Sequence, residues 1–234
     1  MKLPISARLL ACAELIPACE TAADIGTDHG YLGVYLLMQG VCSRVIASDL
    51  REKPLAKAKE NALRFEAADR MTFLRADGFH GFEPGSFQTA VLAGMGGDLI
   101  ARILGDAPWL RSSACTLVLQ PQSAEKDLRR WLGENGFEIE RERLVRDGGF
   151  LYSVMRVVFG RGRALTPGEQ YVSPALRREG DPLFPNYLDR VLRALEQTVS
   201  GISQSADPAD LARAGYFRAA LDEVRILYEE EKNP

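Results

Sequence analysis

No apolar run in this chain approaches the roughly 20 residues of a membrane-spanning helix. The first residues, Met1-Lys2-Leu3-Pro4, lead into no long apolar stretch with a small-residue cleavage site, so no signal peptide is expected. Histidine is scarce, with only His29 and His80, and the four cysteines (Cys12, Cys19, Cys42 and Cys115) contain no C-x-x-C pair. A zinc site is therefore not expected, and no other metal centre is. Three of the cysteines sit in apolar sequence and read as small core residues, which suits a reducing cytoplasm. Positive charge is not in excess either. The formal net charge is -3, and neither 1–160 nor 161–234 is basic. Any attraction to nucleic acid must come from local patches. Candidates are Arg129-Arg130, Arg141 with Arg143 and Arg146, Arg161 with Arg163, and Arg177-Arg178. Glu138, Glu140 and Glu142 interleave with these, as on a solvated face. Repeats and low-complexity tracts are lacking.

What is present is an ordinary globular composition, 46% hydrophobic and 26% charged over 234 residues. That length supports one full core with an appendage. The chain is organised around Thr21-Ala22-Ala23-Asp24-Ile25-Gly26-Thr27-Asp28-His29-Gly30-Tyr31-Leu32-Gly33. Small apolar residues give a short buried strand, glycines give a turn, and Leu32, Tyr35, Leu36 and Met38 open a helix. Strand, glycine turn, helix is the start of a nucleotide-binding βαβ unit. The dinucleotide fingerprint is G-x-G-x-x-G, with a pyrophosphate resting on bare amides. Here Asp28 stands at the middle glycine. A carboxylate there repels a pyrophosphate and welcomes a cofactor with a cationic end. S-adenosylmethionine, with an ammonium and a sulfonium, fits better than NAD. An ordinary turn with Asp28 as helix N-cap would also explain the loop taken alone.

The remaining segments alternate. A helix is expected over residues 5–18, with Ile5, Leu9, Leu10 and Ala13 on one face and a stop at Pro17. Arg44–Asp49 reads as a second buried strand ending in an acid. At that place Asp49 can take ribose hydroxyls, with Leu50 beside it, or cap the helix Lys53–Phe65. Met71–Arg75 is a third strand, followed by Asp77-Gly78, a tight turn whose acid can also reach an adenine amino group. Gln88–Ala93 is a fourth, running into Gly94-Met95-Gly96-Gly97-Asp98 and a helix from Leu99 to about Leu104. Cys115–Leu119 is a fifth, with Ser123 as N-cap of a helix Ala124–Leu132. Gly136–Arg143 and Phe150–Phe159 form an antiparallel hairpin around Asp147-Gly148-Gly149. Five β/α steps and a hairpin predict an α/β fold with a Rossmann-like, doubly wound class I methyltransferase sheet. Prolines 167, 174, 182 and 185 mark a connector with little regular structure. Two amphipathic helices follow, carrying Leu188–Ile202 and Leu211–Tyr228 around the polar loop Ser203–Pro208. They read as a C-terminal antiparallel α-helical hairpin, for packing or dimerisation or for substrate docking. The expected domains are 1–160 for cofactor and catalysis and 161–234 for this helical part.

The chain resembles the TrmK family of bacterial tRNA adenine-N1 methyltransferases. The likeness spans nearly the whole chain. It is carried by Arg8-Leu9-Leu10, the Ala23–Leu32 string, Ala93-Gly94-Met95-Gly96-Gly97, Leu119-Gln120-Pro121-Gln122, Leu128-Arg129-Arg130-Trp131-Leu132 and the terminal helices. The resemblance implies S-adenosylmethionine-dependent methylation of N1 of adenine 22 in tRNA, with tRNA as partner and a coiled-coil-like C-terminal domain. By it, Asp24, Gly26, Asp28, Asp49, Leu50, Asp77, Gly78, Gly94, Met95 and Gly96 hold the cofactor. Asp28, His29 and Tyr31 line its methionine end and the target pocket, where they are the candidate catalytic residues. An N/D-P-P-Y/F motif is lacking at Gly94-Met95-Gly96, which argues against methylation of the exocyclic amine. Gly30 stands where Ala is usual, and Leu32-Gly33 where Leu-Pro is common.

Adenine N1 has a free lone pair, so the chemistry requires alignment and no prior deprotonation. The product is cationic, and a fixed carboxylate near the base stabilises the developing charge. Asp28 is the candidate for this, His29 a positioning or proton-handling partner, and Tyr31 a stacking platform or a core residue. The target base must be exposed from folded tRNA. A monomer or weak homodimer is expected. Two other functions remain open: a methyltransferase for another RNA or a small molecule, and a non-catalytic binding module for the cofactor.

Overall fold

The computed structural model describes residues 3–111, 115–204 and 207–232. Met1, Lys2 and part of the expected Ser203–Pro208 loop, residues 205 and 206, lie outside the described residues. Five strands alternate with helices: α1 (Ala7–Leu15), β1 (Cys19–Ile25), α2 (Tyr31–Met38), β2 (Cys42–Asp49), α3 (Glu52–Arg64), β3 (Met71–Arg75), β4 (Thr89–Gly96), α4 (Gly97–Gly105), β5 (Thr116–Ser123) and α5 (Glu125–Glu134). A hairpin, β6 (Phe137–Asp147) and β7 (Phe150–Phe159), completes one sheet in the order β3-β2-β1-β4-β5-β7-β6. β3, β2, β1, β4 and β5 pair in parallel, and β7 is antiparallel to both its neighbours. The order reverses between β1 and β4, so the C-terminal ends of these two strands flank the crevice where such sheets bind ligands.

Neighbouring residues on each strand serve opposite faces of the sheet. Leu92, Leu117 and Leu119 join Ile100, Leu104 and Leu128 from α4 and α5 in one buried cluster. Val91 and Val118 join Cys12, Leu15, Leu32 and Leu36 from α1 and α2 in the other. The cysteines form no disulfide among the described residues.

The strands overrun their expected ends where the ladder continues through irregular backbone. β4 and β5 stay paired at Ala93↔Gln120, Met95↔Pro121 and Gly96↔Ser123, with register shifts between them. Ser123 is therefore a strand residue and not the expected cap. Ala124 takes the N-cap position in the left-handed region (φ 53), without a side-chain bond. Gly97 presses on this turn, where an added Cβ would lie 2.6 Å from the Ala124 carbonyl. In the β6–β7 turn, Gly148 and Gly149 both have positive φ (56 and 84), as a two-residue hairpin of this twist demands.

The proline-marked connector is more regular than its composition suggests. α6 (Pro167–Tyr171) and α7 (Pro174–Glu179) each begin with proline behind a Thr166 or Ser173 cap. Proline is favoured at a first helical position, where no amide bond is lost. α8 (Phe184–Ser203) and α9 (Pro208–Lys232) then pack together through Leu188, Leu192, Leu195, Phe217, Leu221 and Val224.

Arg129 is not a surface patch. It is 1% exposed and lies against Glu142, 0% exposed, with Nη2–Oε1 at 2.5 Å. The guanidinium also donates to the carbonyls of Gln170 (3.1 Å) and Tyr171 (3.0 Å) and to the Tyr187 hydroxyl (3.0 Å). Ser173 donates to the second Glu142 oxygen at 2.5 Å. Burial works against the Arg129 charge, and Glu142 more than offsets it, holding the group charged well above the usual range. One ion pair thus joins α5, β6, α6 and α8. The other arginine runs are largely spent too, with Arg141 on Glu179, Arg143 on Glu14, Arg163 on Glu169 and Arg177 on Glu230. Among the described residues Arg146, Arg161 and Arg178 are exposed and carry no acidic partner.

Arg129→Met leaves Glu142 buried without its counter-charge. The expected loss is about 3–5 kcal/mol, read as a lower urea midpoint by circular dichroism. Arg129→Met with Glu142→Leu should recover most of it.

Candidate functional site

The loop after β1 is fixed by one carbonyl. The amides of Gly26 and Thr27 both donate to the Ser48 oxygen at 2.8 Å, and Gly30 N donates to Thr27 O at 2.9 Å. Three left-handed residues, Gly26 (φ 75), Asp28 (φ 51) and Gly30 (φ 71), make the turn that permits this. Gly30, not Asp28, is the N-cap of α2, and no side chain caps it. The loop is held down at its far side, where Asn61 donates to the His29 carbonyl at 2.9 Å. The Gly26 and Thr27 amides are consequently turned into the sheet.

The acids face the other way. Asp24 is 5% exposed and accepts from the Thr27 hydroxyl at 2.6 Å. Burial pushes its carboxyl up to about 6; Thr27 works against the rise, while Asp49 and Asp28 add to it. Asp49, buried at the end of β2, accepts from the Arg51 amide at 2.8 Å ahead of α3. Its turn-forming and ligand-facing roles therefore coexist. Asp77 faces Arg102 at 3.8 Å. These four carboxylates open onto one cleft of about 530 Å³, within the range of about 300–1,000 Å³ usual for small-molecule sites.

Of the residues expected in the site, Asp24, Gly26, Asp28, Asp49, Leu50, Asp77, Gly78, Gly94 and Met95 line this cleft. Two glycine loops meet in it. The Met95 methyl occupies the space a side chain at 26 would need, 2.3 Å from an ideal Cβ. Gly96 stands outside, at the N-cap of α4 with its face toward the Ser123 hydroxyl. His29 and Tyr31 stand beside the opening and not in the lining. Their rings stack at 5.7 Å, and His29 Nε2 lies 3.4 Å from Asp28 Oδ2.

Sequence reasoning assigned no site role to Arg8, Thr27, Gln120 or Gln122. Arg8 reaches from α1 into the cleft, donating to Asp147 Oδ2 (2.8 Å) and Gln120 Oε1 (3.2 Å) under the Tyr152 ring. Gln120 also accepts from the Gly94 amide at 3.1 Å, so it locks the second glycine loop. Two glutamines closing a buried strand were the only signal in the chain for this corner. Among the described residues no group of three His, Cys, Asp or Glu is arranged to hold a metal ion.

Residues 5–155 match the family described as "Methyltransferase domain". The tRNA (adenine(22)-N(1))-methyltransferase of Bacillus subtilis is 29% identical over 212 residues, 88% of this chain and 89% of that protein. The crystal structure of the B. subtilis m1A22 tRNA methyltransferase TrmK superposes with a TM-score of 0.85 at 25% identity, covering 97% of this chain and 100% of that one. A candidate tRNA (m1A22) methyltransferase from Streptococcus pneumoniae, solved in complex with S-adenosyl-L-methionine, superposes with a TM-score of 0.78 at 28% identity, over 93% and 99% of the two chains.

With its folded pKa raised, ionised Asp24 costs stability at neutral pH. The cost is complete above pH 6 and is relieved as pH falls toward the unfolded value near 4, by about 2–3 kcal/mol. Asp24→Asn should therefore be the more stable protein in urea unfolding at pH 7, with the gap shrinking by pH 5.

Proposed function

The chain belongs to the methyltransferase-domain family, and from that premise we propose that it transfers a methyl group from S-adenosylmethionine to N1 of adenine 22 in tRNA. The observation that carries this is a ligand cleft at the strand ends where four carboxylates stand with Arg8, Arg51 and Arg102, and where the Gly26 and Thr27 amides are already bonded to the Ser48 carbonyl. Asp24 and Asp28 carry no arginine ion pair among the described residues, whereas Asp49 and Asp77 face Arg51 and Arg102, so the Asp24–Asp28 end of the cleft favours a cationic group.

Asp24 and the loop at Gly26 take the methionine ammonium end. Asp49, with Leu50, takes the ribose, and Asp77 with Gly78 the adenine. Gly94 and Met95 close over the sulfur side, and Gly96 begins the helix that holds them. When bound, S-adenosylmethionine supplies an electrophilic methyl, which the adenine N1 lone pair takes, leaving a neutral thioether and a cationic base. Asp28, at the mouth of the cleft, faces that developing charge and stabilises it. His29, 3.4 Å from the Asp28 carboxylate, steadies its orientation, and the Tyr31 ring stacked on His29 offers a face to the incoming base. Residues 1–160 perform these tasks. Residues 161–234 and the unpaired Arg146, Arg161 and Arg178 hold the tRNA backbone, so binding weakens with salt. The protein works in the cytoplasm, as a monomer or weak homodimer.

The test is transfer of labelled methyl to unmodified tRNA, with the modified nucleotide mapped by mass spectrometry. Methyl at N1 of adenine 22 is expected, and Asp28→Ala should lower kcat by about a hundredfold to a thousandfold. Full activity in RNase-treated extract would point instead to a small-molecule substrate. Binding of the cofactor without transfer to any RNA would point to a non-catalytic module.

A further inference from the structure

β5 closes with two glutamines that lead opposite lives. Gln120 is 0% exposed and fully engaged. Its oxygen accepts from Gly94 N (3.1 Å) and Arg8 Nη1 (3.2 Å), and its Nε2 donates to the Pro121 carbonyl (2.8 Å). Gln122 is exposed at the cleft wall and has no hydrogen-bond partner among the described residues. The space beside it is kept open by Gly94, whose φ of +77 favours glycine. An ideal Cβ at 94 would lie 3.6 Å from Gln122 Nε2 and 4.0 Å from Arg8 Nη1. A flat group resting on the Gly94 backbone would therefore meet the Gln122 amide at its edge.

We propose that Gln122 selects the target base, its amide bridging the N6 amino group and N7 of adenine. The inference rests on the reading of the site as an adenine methyltransferase. Among the side chains that line the cleft, the Gln122 amide offers an acceptor and a donor side by side. Adenine presents a donor at N6 and an acceptor at N7 on one edge, the pair that a glutamine matches in two parallel bonds. Guanine presents acceptors at both places, and cytosine has no acceptor next to its amino group on that side. N1 lies across the amino group from N7. Holding the N6–N7 edge therefore fixes the ring in its plane and leaves the nucleophile uncovered. Gln120 and Arg8 serve as positioning residues, because they hold the Gly94 floor against which the amide works.

The decisive substitution is in the substrate. A tRNA carrying 7-deazaadenosine at position 22 keeps N1 and N6 and loses only the N7 acceptor. The wild-type protein should methylate it with kcat/KM reduced about tenfold to a hundredfold. Gln122→Ala should lose a similar factor on ordinary tRNA and lose nothing more on the 7-deaza substrate. Equal rates of the wild-type protein on both tRNAs would overturn the inference while leaving the enzyme's assignment intact. So would a Gln122→Ala protein that discriminates the two as the wild type does. A wild-type protein inactive on every tRNA would overturn the assignment and the inference together.

Discussion

The Ser48 carbonyl decides what this sheet can bind. By taking two consecutive amides from the first glycine loop, it ties β2 to the end of β1 and removes two donors from the ligand space. Four carboxylates face the ligand space together with Arg8, Arg51 and Arg102. Asp24 is buried at the floor, Asp49 closes β2, and Asp28 and Asp77 stand higher in the cleft. Asp28 and Asp77 reach water, and Arg51 and Arg102 face Asp49 and Asp77, so the uncompensated charge is concentrated on the buried Asp24. Burial is the main reason the Asp24 pKa is raised, and Asp49 and Asp28 add to it. Stability is given up locally so that a positive ligand gains on arrival, as functional sites often do.

The helical part is attached by a different use of charge. Arg129 and Glu142 are out of water, and their remaining hydrogen-bonding capacity is met by Gln170, Tyr171, Ser173 and Tyr187. Four elements from distant parts of the chain must be in place before the pair is satisfied. That makes the junction between the sheet and α6–α8 a single geometry, whereas apolar packing alone tolerates sliding.

Much of the cleft was legible because a parallel sheet brings its strand ends to one edge. Asp24, Asp49, Asp77 and Gly94 each stand at or near the C-terminal end of a parallel strand, so strand counting places them together. Side-chain direction was not legible in the same way. His29 and Tyr31 follow Asp28 closely in sequence, yet the left-handed turn sends them to the outer rim. Gly96 looks like its neighbour Gly94, but the β4–β5 ladder runs on through it. The connector's prolines read as helix breakers, although behind Thr166 and Ser173 they start helices. Arg129 looked like half of a surface patch, because burial is decided by Glu142, 13 residues away on a strand. Arg8 lies 139 residues from Asp147, and no local pattern reports a contact at that separation.

That last separation has a bearing on biosynthesis. α1 leaves the ribosome first, yet Arg8 docks on Asp147 and Glu14 on Arg143, both in the hairpin made near the end of the sheet. At about 5–20 residues per second, the nascent helix waits for many seconds before its anchors emerge. The Arg8 corner is consequently completed late during translation, and truncated chains ending before residue 143 lack both hairpin anchors.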